Sequence, residues 1–247
     1  LLLCVFSILI GHIAYNISGG VSGLREDIGL EIKARSNPKL RTILNNKDQY
    51  PDAMIQSLYR NEELIDFVYN YPSKKGHVYT NTIGPVTKGR YPLLLQYDQR
   101  WGYGNYGYNV IGMNGCGPTS AAMIIAGLIG RNNITPFDVA SYAYNHGYYQ
   151  DGTSWAFFTE GMKHYVIHGR NIPLSYSSMK NEIVNGIPLI CSMKPGDFTT
   201  TGHLIVIRGM KQGMFIVNDP NSIKRSNRLW SYDTLSKQIR NIWSLSR

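Results

Sequence analysis

Three cysteines in 247 residues, Cys4, Cys116 and Cys191, are too few and too irregularly spaced for a disulfide framework or a zinc site. Neither a metal nor a cofactor is expected from such a set. Acidic residues are also scarce, 16 against 25 lysines and arginines, and the net charge is +9. No zinc-finger spacing, basic helix or RNA-binding signature accompanies that surplus, so nucleic acid is not an expected partner. The chain contains no internal repeat and no low-complexity tract. What it does have is 43% hydrophobic residues and 18 tyrosines, enough for one good-sized domain with appendages or two small ones. A basic balance of this kind suits an acidic neighbourhood such as a bacterial envelope or membrane surface.

The first seventeen residues, Leu1 to Ile17, are almost wholly apolar, long for a signal-peptide core and short for a membrane span. No Ala-x-Ala cleavage pattern follows. Residues 1–20 are expected to form a signal anchor, with a cleaved signal peptide as the alternative. Either reading sends the remainder out of the cytoplasm, anchored to the membrane through residues 1–17 or secreted.

Residues 21–90 read as a helical arm and linker. Asn37-Pro38 is a cap followed by a first-turn proline, with Leu40, Ile43 and Leu44 on one face. Tyr50-Pro51-Asp52 opens a helix striped by Met54, Ile55, Leu58 and Tyr59. Asn61 caps a third, with Glu62 and Glu63 in the first turn where the helix dipole favours acids. Packing against the main domain and service as an inhibitory pro-segment both remain open for this arm. Pro72 to Arg90, punctuated by Gly84-Pro85 and Lys88-Gly89, is the linker. The main domain is placed at 91–247.

Within that domain Tyr91 to Tyr97 reads as a strand, and the glycine-aromatic stretch Trp101 to Tyr108 as a folded surface loop. Helices are expected from Thr135-Pro136, from Ser154 to Tyr165 and from Ser177 to Asn185. Strands are expected over 187–193, 203–208 and 214–218. Helices first and sequential strands later indicate an α+β fold.

Gly115-Cys116-Gly117-Pro118-Thr119-Ser120 precedes the apolar run Ala121 to Leu128, which reads as a buried helix opened by Pro118. Cys116 then sits at a helix N-terminus, where unsatisfied N–H groups and the dipole favour a thiolate, the nucleophilic form of cysteine. By residue type alone a lone cysteine is more often a small buried hydrophobe, the reading given to Cys191 in Ile187 to Met193. Among six histidines, His12 lies in the apolar run, while His77, His146, His164 and His168 suit loops or polar helix surfaces. His203 opens the apolar strand Leu204 to Ile207. With Gly209 to Gly213 as a turn, that strand and 214–218 form a hairpin, and Asp219 falls opposite His203. A register shifted by one puts Asn218 there instead. Either could orient the imidazole, and Cys116, His203 and the acid form a coherent triad.

Taken together, Gln96-Tyr97-Asp98, Gly115 to Ser120, Gly202 to Val206 and Val217-Asn218-Asp219-Pro220 resemble the catalytic domain of C39-like proteins. These are papain-like cysteine peptidases related to the bacteriocin-leader, or double-glycine, peptidases. The resemblance spans Tyr91 to the C-terminus, and the preceding segments are similar to those of Gram-positive surface members. It implies a helical lobe carrying Cys116 packed on an antiparallel sheet carrying His203, preceded by an N-terminal hydrophobic helix and the arm. It makes Cys116 the nucleophile, His203 the base and acid, Asp219 its orienter, and Gln96 an oxyanion donor beside the Cys116 N–H. Gln99 is the local rival of Gln96. Leader peptidases are usually fused to a transporter, whereas this sequence has no Gly-x-x-x-x-Gly-Lys loop. The expected function is an extracytoplasmic peptidase acting on peptide or isopeptide bonds in a peptide or protein substrate, with cell-wall polymers as further partners. Two alternatives stand beside it: a non-catalytic envelope binding module on the same fold, and a thiol acyl transferase.

Overall fold

The structure, a computed structural model, describes residues 28–247. The expected N-terminal anchor and Cys4 lie outside the described residues. Among the described residues no helix is long and apolar enough to cross a membrane. Two compact units result, one ending at Pro72 and the other running Ser73–Arg247.

The first unit is helical, for the reasons its caps suggest. Asn37 accepts from the Leu40 N–H and Pro38 opens the helix Pro38–Asn45, which buries Leu40 and Ile43. Asp52–Leu58 buries Met54, Ile55 and Leu58. The Asn61 side chain accepts from Glu63 N–H and starts a 3₁₀ turn, Glu62–Leu64, that runs into the helix Ile65–Lys74.

The second unit begins with irregular chain. Residues 77–95 form no strand, contrary to the expectation for Tyr91 to Tyr97. Backbone bonds hold this chain down instead: Tyr79 N–H to Arg100 O at 2.8 Å, Ile83 to Asn132 at 2.8 Å and Gly89 to Gly127 at 2.8 Å. The Trp101 to Tyr108 stretch also differs from expectation. Trp101, Tyr103 and Tyr106 point inward and are fully buried, around a two-strand ribbon of β1 (Asn105–Tyr106) and β2 (Asn109–Val110). Trp101 Nε1–H donates to Leu95 O at 2.9 Å, so its one polar atom is satisfied inside the core.

The remainder is an antiparallel sheet of six strands in the order β3-β8-β4-β5-β6-β7. These are β3 His168–Asn171, β4 Leu189–Met193, β5 His203–Lys211, β6 Met214–Asn218, β7 Leu229–Trp230 and β8 Ile239–Ser246. Alternate residues of the central strands enter opposite cores. Ile190, Leu204, Val206, Trp243 and Leu245 pack with the helix Cys116–Ile129 on one face. Leu189, Cys191, Met193, Ile205, Ile207 and Ile242 pack with Met179 and Ile183 of the helix Tyr176–Val184 on the other. Cys191 is thus a core residue on the face turned away from Cys116.

The central helix is buried from Gly117 to Gly127, because its alanines and branched residues leave no polar stripe. Gly130 ends it in the left-handed conformation at φ +80°. Pro136–Asn145 follows, opened by a capping box in which Thr135 and Asp138 satisfy each other's N–H groups. The helix expected over 154–165 is broken into Ala156–Thr159 and a 3₁₀ turn, Gly161–Tyr165. Phe157 and Phe158 both turn into the core, and a Cβ at Gly161 would lie 2.4 Å from the Phe157 ring.

Candidate active site

Cys116 is the first residue of its helix, with Gly115 as N-cap and Thr119 N–H bonded to Gly115 O at 3.0 Å. Pro118 therefore lies at the third helical position, not the first. It is still inside the turn whose N–H groups have no intrahelical acceptor, so its missing donor costs nothing there. The flanking glycines are required by contact. A Cβ at Gly115 would meet Ile111 O at 2.5 Å, and one at Gly117 would meet Thr153 Oγ1 at 2.2 Å. The Thr153 hydroxyl is in turn 2.8 Å from the Tyr106 hydroxyl. Cys116 is half-buried, whereas Cys191 is fully buried and its thiol is pushed up by desolvation; both are free.

Helix and strand meet through Ser120, whose hydroxyl lies 3.4 Å from Leu204 O. Ser120 is one turn beyond Cys116 on the same helix face, and Leu204 follows His203. Residues 116 and 203 are thereby brought to one end of the helix–sheet interface. His203, itself buried, begins β5 opposite Met193. Its Nε2 is 2.8 Å from Asp219 Oδ1, and the Cys116 thiol is near enough to help raise the imidazole. With Nε2 on the carboxylate, Nδ1 is the ring nitrogen left for sulfur.

Asp219 reaches His203 by a route other than the expected one. The hairpin turn is only Gln212-Gly213, at φ +53° and +75°, which pairs Lys211 with Met214. Both residues in the left-handed region make the tight primed turn that matches strand twist. A bulge at Arg208 then shifts the register, pairing Ile207 with Val217 and Val206 with Asn218. Carried on, that register sets Asp219 opposite Ile205, a diagonal neighbour of His203 on the same face. Asn218 is occupied elsewhere. Its Oδ1 accepts from Arg208 Nε at 2.7 Å, and its Nδ2 donates to Tyr91 O and Pro92 O at 3.1 and 3.0 Å.

The Asp219 carboxylate accepts two further bonds. Oδ1 takes the Asn221 N–H at 2.8 Å, and Oδ2 takes Arg225 Nε–H. Arg225 lies in the short helix Ile223–Ser226, whose Ser222 cap accepts the Arg225 N–H at 3.1 Å. Burial opposes the carboxylate's charge, but the charges and hydrogen bonds of His203 and Arg225 outweigh it and hold Asp219 below the usual range. Burial likewise opposes charge on His203. Asp219, by charge and hydrogen bond, and then Cys116 overcome it and raise the imidazole to about 9. Sequence reasoning missed Arg225, since nothing in its pattern marks a contact six residues back.

Of the two glutamines, Gln96 is the buried one, and it is bonded to the chain that leads into Cys116. Its N–H donates to Pro220 O at 2.7 Å, and its Nε2 to Gly112 O at 2.9 Å and, at 3.4 Å, to Met113 O. Gln99 instead accepts from Lys74 Nζ at 2.8 Å. Of the other histidines, His168 lies on the edge strand β3, and His146 and His164 stack on the two sides of Tyr142 at 4.0 and 4.1 Å. A surface cavity of about 610 Å³ lies at the far end of the central helix, lined by Ile129, Arg131, Tyr142 and His164, and includes none of the four site residues. Among the described residues no group of three His, Cys, Asp or Glu side chains could hold a metal ion.

A cysteine-bearing helix packed against an antiparallel sheet that bears a histidine at its strand end fits a cysteine peptidase. Within that class the profile of the Peptidase_C39 like family matches residues 88–247, well over half the sequence, and the chain belongs to that family. Among solved structures it is similar to the peptidase domain of Streptococcus ComA, a bi-functional ABC transporter involved in a quorum-sensing pathway. The two are 19% identical over 64% of this chain and 98% of that one, with a TM-score of 0.44. A double glycine motif protease from an AMS/PCAT transporter, solved with its leader peptide, is 20% identical over 66% and 96%, with a TM-score of 0.44. A C39-like peptidase from Bacillus anthracis is 16% identical over 66% and 98%, with a TM-score of 0.38. No curated protein matches the sequence.

Proposed function

We propose that the protein is an extracytoplasmic thiol peptidase that cuts a peptide or isopeptide bond through Cys116, His203 and Asp219. The observation that carries this reading is the setting of His203: one ring nitrogen on Asp219 at 2.8 Å, and Cys116 near enough to help raise the imidazole. With its imidazole raised to about 9, His203 already holds the thiol proton as an imidazolium when the Cys116 sulfur attacks the carbonyl carbon. It then gives that proton to the departing amine as the C–N bond breaks, leaving a thioester on Cys116. Water, deprotonated by His203, attacks the thioester and releases the acid and the thiol. Asp219 fixes the ring and stabilises the imidazolium between these steps.

The tetrahedral oxyanion is received by the Cys116 N–H and the Gln96 side-chain amide. An amide nitrogen carries two hydrogens. Gly112 O at 2.9 Å takes one and Met113 O at 3.4 Å the other, so the longer bond is exchanged for the oxyanion in the transition state. The location outside the cytoplasm rests on the apolar run 1–17 and on the cationic surplus, which suits an anionic envelope.

Incubating the purified protein with a peptide library, alone and with an added amine, tests the chemistry. Acid products that vanish with Cys116→Ala support the peptidase. Amide products with the amine make it a transferase, and a wild-type protein that turns over no peptide yet binds peptidoglycan or a partner, with Cys116→Ala unaffected, makes it a binding module. Protease treatment of intact cells tests location: digestion of the main domain is expected, and full protection contradicts it.

A further inference from the structure

Arg225 is a charged partner of Asp219 to which the proposed chemistry gives no role. It approaches the carboxylate from the side opposite His203, giving its Nε–H to Oδ2 while His203 and the Asn221 N–H take Oδ1. Asp219 is completely buried and the Arg225 side chain is 19% exposed. The guanidinium's Nη2 is buried with no hydrogen-bond partner. Buried polar groups are normally satisfied, and an exception calls for a reason. A side chain placed only to fill space or cap the turn would not carry a cation with an orphaned donor.

The surrounding backbone supports the same placement. Ser222 accepts the Arg225 N–H at 3.1 Å, Ser226 Oγ donates to Ser222 O at 2.7 Å and accepts the Asp219 N–H at 2.8 Å, and Trp230 Nε1–H donates to Arg225 O at 3.1 Å. Three of these bonds fix the turn that carries residue 225, and the Ser226 bond ties that turn to residue 219. We propose that Arg225 is a positioning residue, which pins the second oxygen of Asp219 so that the first is held on His203, and whose charge keeps the carboxylate ionised. This rests on the reading of Asp219 as the orienter of His203.

The charged and titratable groups facing Asp219 are His203 and Arg225, and Cys116 lies beyond His203. Arg225 helps hold the carboxylate below the usual range, so its removal lets Asp219 take a proton at higher pH. Sites that depend on the anion then fail earlier as the pH falls. A merely structural arginine would lower stability at every pH and leave that titration in place.

The test follows the ¹³C-carboxyl shift of Asp219 against pH in the full chain, for wild type, Arg225→Gln and Arg225→Lys. Peptidase activity is measured in parallel. Arg225→Gln is expected to move the Asp219 midpoint upward and to lower kcat/KM about tenfold at neutral pH, with a larger loss on the acid side. Arg225→Lys, which keeps the charge but loses the planar fork, is expected to keep the midpoint near wild type with a reduced rate. If Arg225→Gln does not fold, Arg225→Lys at unchanged kcat/KM overturns the proposal. So does an unmoved Asp219 midpoint in folded Arg225→Gln. Cys116→Ala at full activity instead overturns the catalytic reading, which the carboxyl titration does not depend on.

Discussion

Replacing His203 by glutamine keeps a donor for Asp219 but removes the group whose charge the site is built to hold. In the folded protein His203 titrates at about 9, against an ordinary 6.5, because Asp219 and Cys116 outweigh the burial that opposes its charge. A group raised on folding contributes stability that is fully present below its unfolded value. The contribution is lost as pH rises through the folded value. The window therefore runs from about 6.5 to about 9, and at about 1.4 kcal/mol per pH unit it corresponds to about 3 kcal/mol. Urea unfolding of wild type and His203→Gln at pH 6 and at pH 10 measures it, since the difference between the proteins cancels titrations common to both. The wild type's advantage over the variant should shrink by about 3 kcal/mol between the two conditions. An advantage independent of pH, or one that grows with alkalinity, refutes the argument that Asp219 holds an imidazolium here.

Other perturbations separate the remaining parts of the site. Gln96→Ala should lower kcat about 10²–10³-fold while leaving KM nearly unchanged, as expected when a donor acts only on the transition state; equal loss in both parameters contradicts it. Iodoacetamide followed by peptide mapping should label Cys116 in the native protein and Cys191 only after denaturation, because Cys191 is fully buried with its thiol pushed up. Gly117→Ala places a Cβ 2.2 Å from Thr153 Oγ1, and should cost about 1–3 kcal/mol in urea unfolding together with a loss of activity. Trp101→Ala removes a fully buried indole and its bond to Leu95 O, for a loss of about 3–5 kcal/mol by the same measurement.

Much of the site was legible because its residues combine local chemistry with strong punctuation. Glycines on both sides of Cys116 and a proline two residues on mark a helix start whatever the surroundings. His203 stands out as a polar residue opening an apolar run. Direct opposition of His203 and Asp219 needs a register that the structure does not have. Gln212 in the left-handed region and the bulge at Arg208 leave little trace in residue type, and together they turn an opposed pair into a diagonal one. Strands were lost where their pattern depends on neighbours. β3 is a short polar edge, and β8 reads Ile-Arg-Asn-Ile-Trp-Ser-Leu-Ser with no clean alternation although it lies inside the sheet. Arg225 was illegible for a different reason. Its contact with Asp219 is made by a turn that Ser222 and Ser226 close, and no side-chain period records such a turn.

The central claim is that Cys116 carries the acyl group during turnover. Rapid quenching of the wild-type protein with a cleaved peptide, followed by intact-mass measurement and peptide mapping, tests it most directly. The account predicts a transient mass increase equal to the acyl half of the substrate, located on Cys116 and absent from Cys116→Ala, which does not turn over. Turnover by Cys116→Ala, or an acyl group found on another residue, contradicts it.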